Sequence, residues 1–243
     1  MLEVDQVSRS FGGIAALADV SLRVTAGEVV GLIGPNGSGK TTLLNVITGI
    51  SPAEHGRVRF DGRDVTNLRP DRIALLGLAR TFQTPRILHR MTVLQNLAAA
   101  LFAGSSRVRT LGTADRERLL GLLDDCGLGV RTDELASKLT LPEQRRLELV
   151  RTLVTDPKLV FLDEPAGGMT PAETEGMARL IAEVAAKGRT CIVIEHKIDM
   201  ISSLCERICV LNFGKVLADG TTAEVLEDEA VLEAYLGRRD AAA

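Results

Sequence analysis

Residues 28–42, EVVGLIGPNGSGKTT, contain the pattern that decides the fold. The apolar run from Glu28 to Ile33 predicts a β-strand, and an apolar helix is predicted from about Lys40 to Ile47. The glycine-rich loop between them fits GxxxxGK[ST], in which successive backbone N–H groups can surround phosphate oxygens. An ordinary glycine turn is the alternative, but the strand before the loop and the helix after it favour a phosphate-binding P-loop.

The P-loop predicts contacts to a nucleoside triphosphate. Lys40 is expected to reach the β and γ oxygens, Thr41 to ligate Mg²⁺, and the helix N-terminus to add the positive end of its dipole. The candidate ATP-binding residues of this loop are Gly34, Pro35, Asn36, Gly37, Ser38, Gly39, Lys40, Thr41 and Thr42. ATP and Mg²⁺ are therefore the expected ligands.

A pair of acidic residues follows another apolar strand, in the stretch LVFLDE at residues 159–164. Asp163 is expected to hold Mg²⁺ or its water, and Glu164 to act as general base on the attacking water. Taken alone, such a pair is more often an exposed strand end. The P-loop in the same chain favours the catalytic interpretation, because ligands of parallel sheets bind at the carboxyl ends of the strands.

The composition narrows the class of protein. The 243 residues are 45% hydrophobic and 25% charged, which predicts a folded globular domain, and the net charge of −3 gives no reason to expect nucleic-acid binding. The opening MLEVDQVSRSF predicts a strand and no signal peptide, and no apolar run reaches the roughly 18 residues that span a bilayer, so any membrane role is expected to be peripheral. Four cysteines without a CxxC pair favour a reducing cytoplasm over a disulfide framework or metal cluster.

The order of the patterns predicts the fold. Residues 2–34 read as short alternating strands, and a turn predicts a hairpin near residues 57–66. The periodicity is helical from about residue 71 to 153, and buried parallel strands separated by a helix are predicted at residues 159–162 and 191–194. The expected fold is α/β, a P-loop NTPase core with a mixed sheet, an antiparallel β subdomain and an inserted helical subdomain.

The order of these motifs resembles that of the ABC ATPases over nearly the whole chain. Gln83, in ARTFQ, is similar to the glutamine of that family's Q-loop, which senses Mg²⁺ and the γ-phosphate and touches the membrane partner. His196 is similar to the switch histidine, which contacts the γ-phosphate and helps Glu164 position water. Phe11, 29 residues before Lys40, has the placement of the aromatic on which the family stacks adenine; a core phenylalanine is the alternative.

The family's signature, usually LSGGQ, aligns with LTLPE at residues 139–143. In the family this element clamps the γ-phosphate of ATP bound to the opposite subunit, so Thr140 is a candidate ATP contact. Thr140 keeps a hydroxyl, but Pro142 has no N–H to donate. The same residues also fit a helix capping box, T-x-x-E, with proline in the first turn. We therefore expect a heterodimer, in which a related but different ATPase chain supplies an intact signature.

Four segments narrow the resemblance to the branched-chain amino-acid importer ATPases: residues 77–83, 91–97, 144–148 and 234–237. This resemblance implies uptake of branched-chain amino acids or a related small solute through separate transmembrane permeases. It also implies an extracytoplasmic solute-binding protein as an indirect partner. The chain itself is expected to lie peripherally at the cytoplasmic face of the cell membrane.

The resemblance also implies one ABC ATPase domain over residues 1–243. Its nucleotide-binding core is expected at residues 1–83 and 154–243, and its helical subdomain at about residues 84–153. Between Arg72 and Ala114 the sequence has six arginines and no acidic residue. This segment is either a solvated face or a surface for a permease helix or anionic lipid headgroups.

Other functions remain open at this point. The chain could be a non-transport or regulatory ABC ATPase, a nucleotide-gated clamp with weak hydrolysis. A P-loop kinase for a small molecule is a further alternative, but it would lack the ordered Gln83, signature and His196.

Overall fold

The computed structural model describes residues 1–103 and 110–236. In chain order its strands and helices are β1 (Leu2–Phe11), β2 (Ile14–Val24), β3 (Val29–Ile33), α1 (Lys40–Ile47), β4 (His55–Phe60), β5 (Arg63–Asp64), α2 (Pro70–Leu75), β6 (Leu78–Arg80), α3 (Val93–Leu101), α4 (Thr113–Asp125), α5 (Leu141–Leu153), β7 (Leu159–Asp163), α6 (Pro171–Ala186), β8 (Thr190–Ile194), α7 (Ile198–Leu204), β9 (Arg207–Asn212), β10 (Lys215–Thr221), α8 (Thr222–Glu227) and α9 (Glu229–Leu236).

Two sheets organise these elements. The smaller sheet is antiparallel, with strand order β2-β1-β4-β5. The larger has the order β10-β9-β3-β8-β7-β6; β3, β6, β7, β8 and β9 are parallel, and β10 joins the edge antiparallel to β9. Every residue of β7 and β8 is buried, as expected for parallel strands that are covered on both faces.

The parallel arrangement brings four segments to one edge of the larger sheet. The carboxyl ends of β3, β6, β7 and β8 lead directly into the P-loop, Thr81, Glu164 and Glu195. Helix α1 packs below this edge through Leu43, Leu44 and Ile47, which are at most 1% exposed and belong to the core that also contains the inner face of the smaller sheet. Segments far apart in the sequence are thereby placed around the P-loop.

Several sequence predictions are confirmed. The P-loop helix, the mixed larger sheet, the antiparallel smaller sheet and the helix between β7 and β8 are present, and the predicted hairpin is formed by β4 and β5. The four cysteines are free and buried. Within the two described ranges, no helix is both long and apolar enough to cross a membrane.

Two predictions about secondary structure are wrong in detail. Residues 2–24 form two long strands of 10 and 11 residues, where short strands were expected. The helical stretch predicted from residue 71 is interrupted by β6, a three-residue strand that pairs with β7. Such a strand is too short for a periodic pattern, and it forms because β7 offers it a parallel partner.

Several helices begin with the same capping box. Among the helices of the described ranges, four begin with a threonine whose partner three residues on is a glutamine or glutamate, at Thr92–Gln95, Thr140–Glu143, Thr170–Glu173 and Thr221–Glu224. In each box the side chain of the later residue accepts the backbone N–H of the threonine. The predicted capping box at Thr140 is therefore confirmed, with Pro142 in the first turn of α5.

Candidate functional site

The P-loop is packed too closely for side chains at two of its glycines. Gly34 has φ +149°, and a Cβ there would lie 2.1 Å from the carbonyl oxygen of Leu211 on β9. Gly39 has φ +107°, and its Cβ would lie 2.7 Å from the carbonyl oxygen of Ala16 on β2. Both sheets therefore fix the loop in place, and glycine is required at both positions.

Lys40 holds its amine inside the P-loop. Its side-chain nitrogen donates to the carbonyl oxygens of Gly34 at 2.7 Å and Pro35 at 3.0 Å. Lys40 is only 7% exposed, and this burial lowers its pKa, against the opposing effect of the Glu164 and Asp163 carboxylates. The remaining loop residues differ in exposure: Ser38 is buried, whereas Asn36, Gly37 and Thr41 face solvent.

Asp163 lies at the end of β7 beside an arginine of β6. Arg80 Nη2 is 3.4 Å from Asp163 Oδ2, and the Asp163 backbone N–H donates to Thr81 Oγ1 at 3.0 Å. Arg80 also donates from Nη1 to Asn45 of α1 at 2.8 Å. Burial raises the pKa of Asp163, although Arg80 acts against this shift. Sequence reasoning assigned Arg80 no role at the site, because only the pairing of β6 with β7 places it beside Asp163.

Three predicted site residues meet at one carboxylate. Gln83 Nε2 donates to both Glu164 oxygens at 3.1 Å, and His196 Nε2 lies 3.4 Å from Glu164 Oε1. Glu164 itself has a left-handed backbone, φ +48°, and its N–H donates to the carbonyl of Ile194 at 2.9 Å. The fold thus brings Gln83, Glu164 and His196 together, although they are separated by up to 113 residues of sequence.

The segment around Gln83 is anchored by helix α5. Glu148, which is 5% exposed, accepts the backbone N–H groups of Phe82 at 3.2 Å and Arg86 at 3.1 Å. Arg145 on the same helix donates to the Phe82 carbonyl at 3.2 Å. Burial raises the pKa of Glu148, and the two N–H donors oppose that shift. The sequence signal for this contact is that Glu148 falls among the apolar residues of its helix, and the sequence analysis did not use it.

In the degenerate signature, residues 139–143, the polar groups of Thr140 are hydrogen-bonded within the helix cap. Glu143 Oε2 accepts from the Thr140 N–H at 2.8 Å and from the Thr140 hydroxyl at 3.0 Å, and Arg131 Nη2 lies 3.2 Å from Glu143 Oε1. Pro142 contributes no N–H. Within the described residues, no hydrogen bond joins Thr140 to the P-loop.

Two aromatic side chains are exposed: Phe11 is the last residue of β1 in the smaller sheet, and Phe213 lies in the turn between β9 and β10 of the larger sheet. Phe11 is 50% exposed, so its alternative interpretation as a core residue is wrong, and Arg9 Cζ lies 4.8 Å from its ring centroid. Phe213, which sequence reasoning missed, is 87% exposed and lines a cleft of 440 Å³ with Pro35, Asn36 and Gly37. Gly214, its neighbour, donates to the Ser38 carbonyl at 2.9 Å, so this turn is fixed to the P-loop.

The oxygen ligands at this edge suit Mg²⁺. Thr41 contributes a hydroxyl, Asp163 a carboxylate and Gln83 an amide oxygen, the donor types that a hard cation of this size binds. In the part of the chain that the structure describes, no group of three His, Cys, Asp or Glu residues could hold a metal ion.

Comparison with known proteins agrees with this geometry. The family model described as ABC transporter matches residues 17–167, so the chain belongs to the ABC transporter family and is an ATPase of that family. A second model, described as branched-chain amino acid ATP-binding cassette transporter, matches residues 215–241. Gly237, quoted above for the same resemblance, lies outside the described residues.

Individual relatives match over almost their full length. The chain is 36% identical to the high-affinity branched-chain amino acid transport ATP-binding protein BraF of Pseudomonas aeruginosa and 37% identical to LivG of Escherichia coli K12, with 98% of each chain covered in both cases. A crystal structure of an ABC transporter ATP-binding cassette in its ADP conformation matches with a TM-score of 0.90 at 34% identity, over 98% of both chains. A nucleotide-free cassette gives a TM-score of 0.88 at 34% identity, over 98% of this chain and 99% of that chain.

Proposed function

We propose that the chain powers the uptake of branched-chain amino acids, or a related small solute, through separate membrane permease subunits. The observation that carries this proposal is the convergence of Gln83 and His196 on Glu164 at the edge that also carries the P-loop. Similarity to branched-chain amino acid transport proteins over 98% of the chain supports the solute class and disfavours the nucleotide-gated clamp. An extracytoplasmic solute-binding protein would deliver the solute, and the chain would lie at the cytoplasmic face of the membrane.

The contacts support a role for each residue in hydrolysis. The P-loop N–H groups and Lys40 bind the phosphates, and Phe11 stacks on the adenine. Glu164 accepts a proton from the water that attacks the γ-phosphorus, while Gln83 and His196 orient this carboxylate and the water. ADP and phosphate are then released. A change around Gln83 reaches helix α5 through Glu148, which offers a route to the permease.

Mg²⁺ is part of the same proposal, with Thr41, Asp163 and Gln83 as the residues that would hold it. When bound, the ion would neutralise charge that develops on the β and γ oxygens. Burial raises the pKa of Asp163, and Arg80 keeps a positive charge 3.4 Å away. The Arg80 guanidinium and the Thr81 hydroxyl, which accepts the Asp163 N–H at 3.0 Å, hold Asp163 in place at the end of β7.

The domain division also remains a proposal. Helices α3, α4 and α5 lie between β6 and β7 in the chain, which fits a helical subdomain at about residues 84–153. The core would then comprise residues 1–83 and 154–243.

Uptake of labelled solutes tests the function directly. A host strain that lacks the gene for this chain should take up leucine, isoleucine and valine more slowly than its parent, with proline uptake unchanged as the control. Expression of the wild-type chain should restore uptake, whereas the Glu164→Gln variant should not, because transport needs hydrolysis. Unchanged uptake of all three amino acids in the deletion strain would contradict the proposed solute class and leave the ATPase activity untouched.

The signature supports a heterodimer with a related ATPase chain. A hydrogen bond to a charged phosphate is worth about 1.5–3 kcal/mol, so a homodimer that lacks the donor at Pro142 twice would lose about 3–6 kcal/mol of closure energy. Glu143 adds a negative charge at the same helix end, which Arg131 offsets at 3.2 Å. A partner with a complete signature would avoid this loss at the site formed by this chain's P-loop.

Light scattering on the Glu164→Gln variant tests the heterodimer, since a slowed site keeps a closed dimer from reopening. We expect the purified variant to stay monomeric with Mg-ATP. Adding Leu141→Gly and Pro142→Gly to the same variant restores a backbone donor, and this matched form should dimerise with ATP. An ATP-dependent homodimer of Glu164→Gln alone would show that Pro142 is tolerated and would favour two copies of this chain.

A further inference from the structure

The loop that follows Glu164 is held by two side chains of opposite charge. Glu195, which is 2% exposed, accepts the Ala166 N–H at 2.9 Å through Oε1. Lys197 donates from its side-chain nitrogen to the Ala166 carbonyl at 3.0 Å. The backbone of Ala166 is thus bound at its N–H by a carboxylate and at its C=O by an ammonium group.

Both charged groups are well supplied with partners. Lys197 also donates to the Met169 carbonyl at 2.9 Å and to Thr174 Oγ1 on α6 at 2.7 Å, which uses all three of its N–H groups. The second oxygen of Glu195 accepts the backbone N–H groups of His196 at 2.9 Å and Lys197 at 3.4 Å. A buried polar network whose members all have partners favours one conformation over its alternatives.

His196 lies between these two residues in the sequence and carries the imidazole that faces Glu164. The loop held by Glu195 and Lys197 is also hydrogen-bonded to Glu164, since the Gly167 N–H donates to the Glu164 carbonyl at 3.0 Å. We infer that Glu195 and Lys197 are positioning residues, which keep the His196 imidazole at the Glu164 carboxylate by binding residues 166–169. This inference rests on the proposed role of His196 in hydrolysis.

The other side of the same loop touches the first turns of α5. A Cβ on Gly168 would lie 3.0 Å from Leu141 Cδ2, and one on Gly167 would lie 3.1 Å from Arg145 Nη2. Residues 166–169 therefore lie between the N-terminal turns of α5 and the pair of Glu195 and Lys197. Lys197 contacts this loop at two backbone carbonyl oxygens, those of Ala166 and Met169.

A double-mutant cycle tests the positioning role in the assembled transporter. Lys197→Met keeps the length of the side chain and removes the ammonium group, and it should lower kcat by about 10- to 100-fold, as expected for a misplaced catalytic group. KM for ATP should stay within roughly threefold, because the P-loop contacts are unchanged. In a His196→Ala background the same substitution should change kcat by less than about twofold, since the group it positions is gone. Lys187→Met, at an exposed lysine paired with Asp125, is the matched control.

Chemical rescue separates charge from a general loss of structure. Lys197→Cys can be alkylated with bromoethylamine, which forms a thioether, releases bromide and rebuilds a lysine-like ammonium group. The four native cysteines are buried, and burial raises each thiol pKa to about 12, so they should not react in the folded protein. Once mass spectrometry shows a single modification, most of kcat should return.

Two results would overturn the inference: an equal loss from Lys197→Met in the wild-type and His196→Ala backgrounds, or no recovery after complete alkylation. If His196→Ala itself keeps wild-type kcat, the proposed role of His196 fails instead. The two failures are therefore distinguished by the same set of variants.

Discussion

Replacing Glu164 by glutamine is expected to leave ATP binding intact and to slow hydrolysis by about 100- to 10,000-fold, the usual contribution of a positioned general base. Glutamine has nearly the same shape, and its amide oxygen can still accept from Gln83 Nε2, which lies 3.1 Å from both Glu164 oxygens. It cannot accept the proton of the attacking water. The contacts of Lys40 with the P-loop carbonyls are separate from this position, so nucleotide affinity should not fall.

Steady-state phosphate release and calorimetric titration with ATP would measure the two effects of Glu164→Gln separately. Glu175→Gln is a suitable control, because Glu175 is an exposed residue of α6 whose partner is Arg179 on the surface. Hydrolysis at the wild-type rate would show that another group acts as base. A large loss of ATP affinity would show instead that Glu164 shapes the nucleotide site.

Replacing Lys40 by alanine should act at the opposite step and weaken ATP binding itself. The lost charge-assisted hydrogen bonds to phosphate are worth about 1.5–3 kcal/mol, which corresponds to roughly 10- to 150-fold in affinity. The burial of Lys40 favours a large effect, since water screens its charge little. Isothermal titration with Mg-ATP measures the change directly.

The Lys40→Ala result needs a test of structure, because the substitution also removes the bonds to Gly34 and Pro35. Lys40→Met, which retains most of the aliphatic chain, serves as the matched variant, and both should melt cooperatively near the wild-type temperature. Affinity equal to that of the wild type in two folded variants would exclude Lys40 as a phosphate ligand.

Local patterns were enough to predict the parts of the fold that depend on neighbouring residues. The P-loop helix begins at Lys40 as expected, because the glycine loop and the apolar pattern of residues 40–47 lie within a few residues of each other. Strand β6 was missed, since its three residues become a strand only through pairing with β7, about 80 residues later. The long strands β1 and β2 were underestimated for a related reason: irregular register between Val4 and Ser10 interrupts their alternation.

The candidate site shows the same limit. Gln83, Glu164 and His196 could be brought together from the order of motifs, because a resemblance supplies the three-dimensional arrangement. Arg80, Glu148 and Lys197 carry no local motif of their own. The partners described above for these three side chains lie 23 or more residues away, and only the folded chain makes these contacts visible.

At Glu164 the left-handed backbone favours glycine for stability, whereas the proposed function requires a carboxylate side chain. A residue with a Cβ at φ +48° costs about 1 kcal/mol relative to glycine, so thermodynamic stability alone would favour glycine there. The general-base role proposed for Glu164 nevertheless requires a carboxylate at this position, which glycine cannot supply. Substituting glycine for residues with unfavourable backbone angles is a common way to raise thermal stability. At residue 164 this substitution would instead abolish ATP hydrolysis.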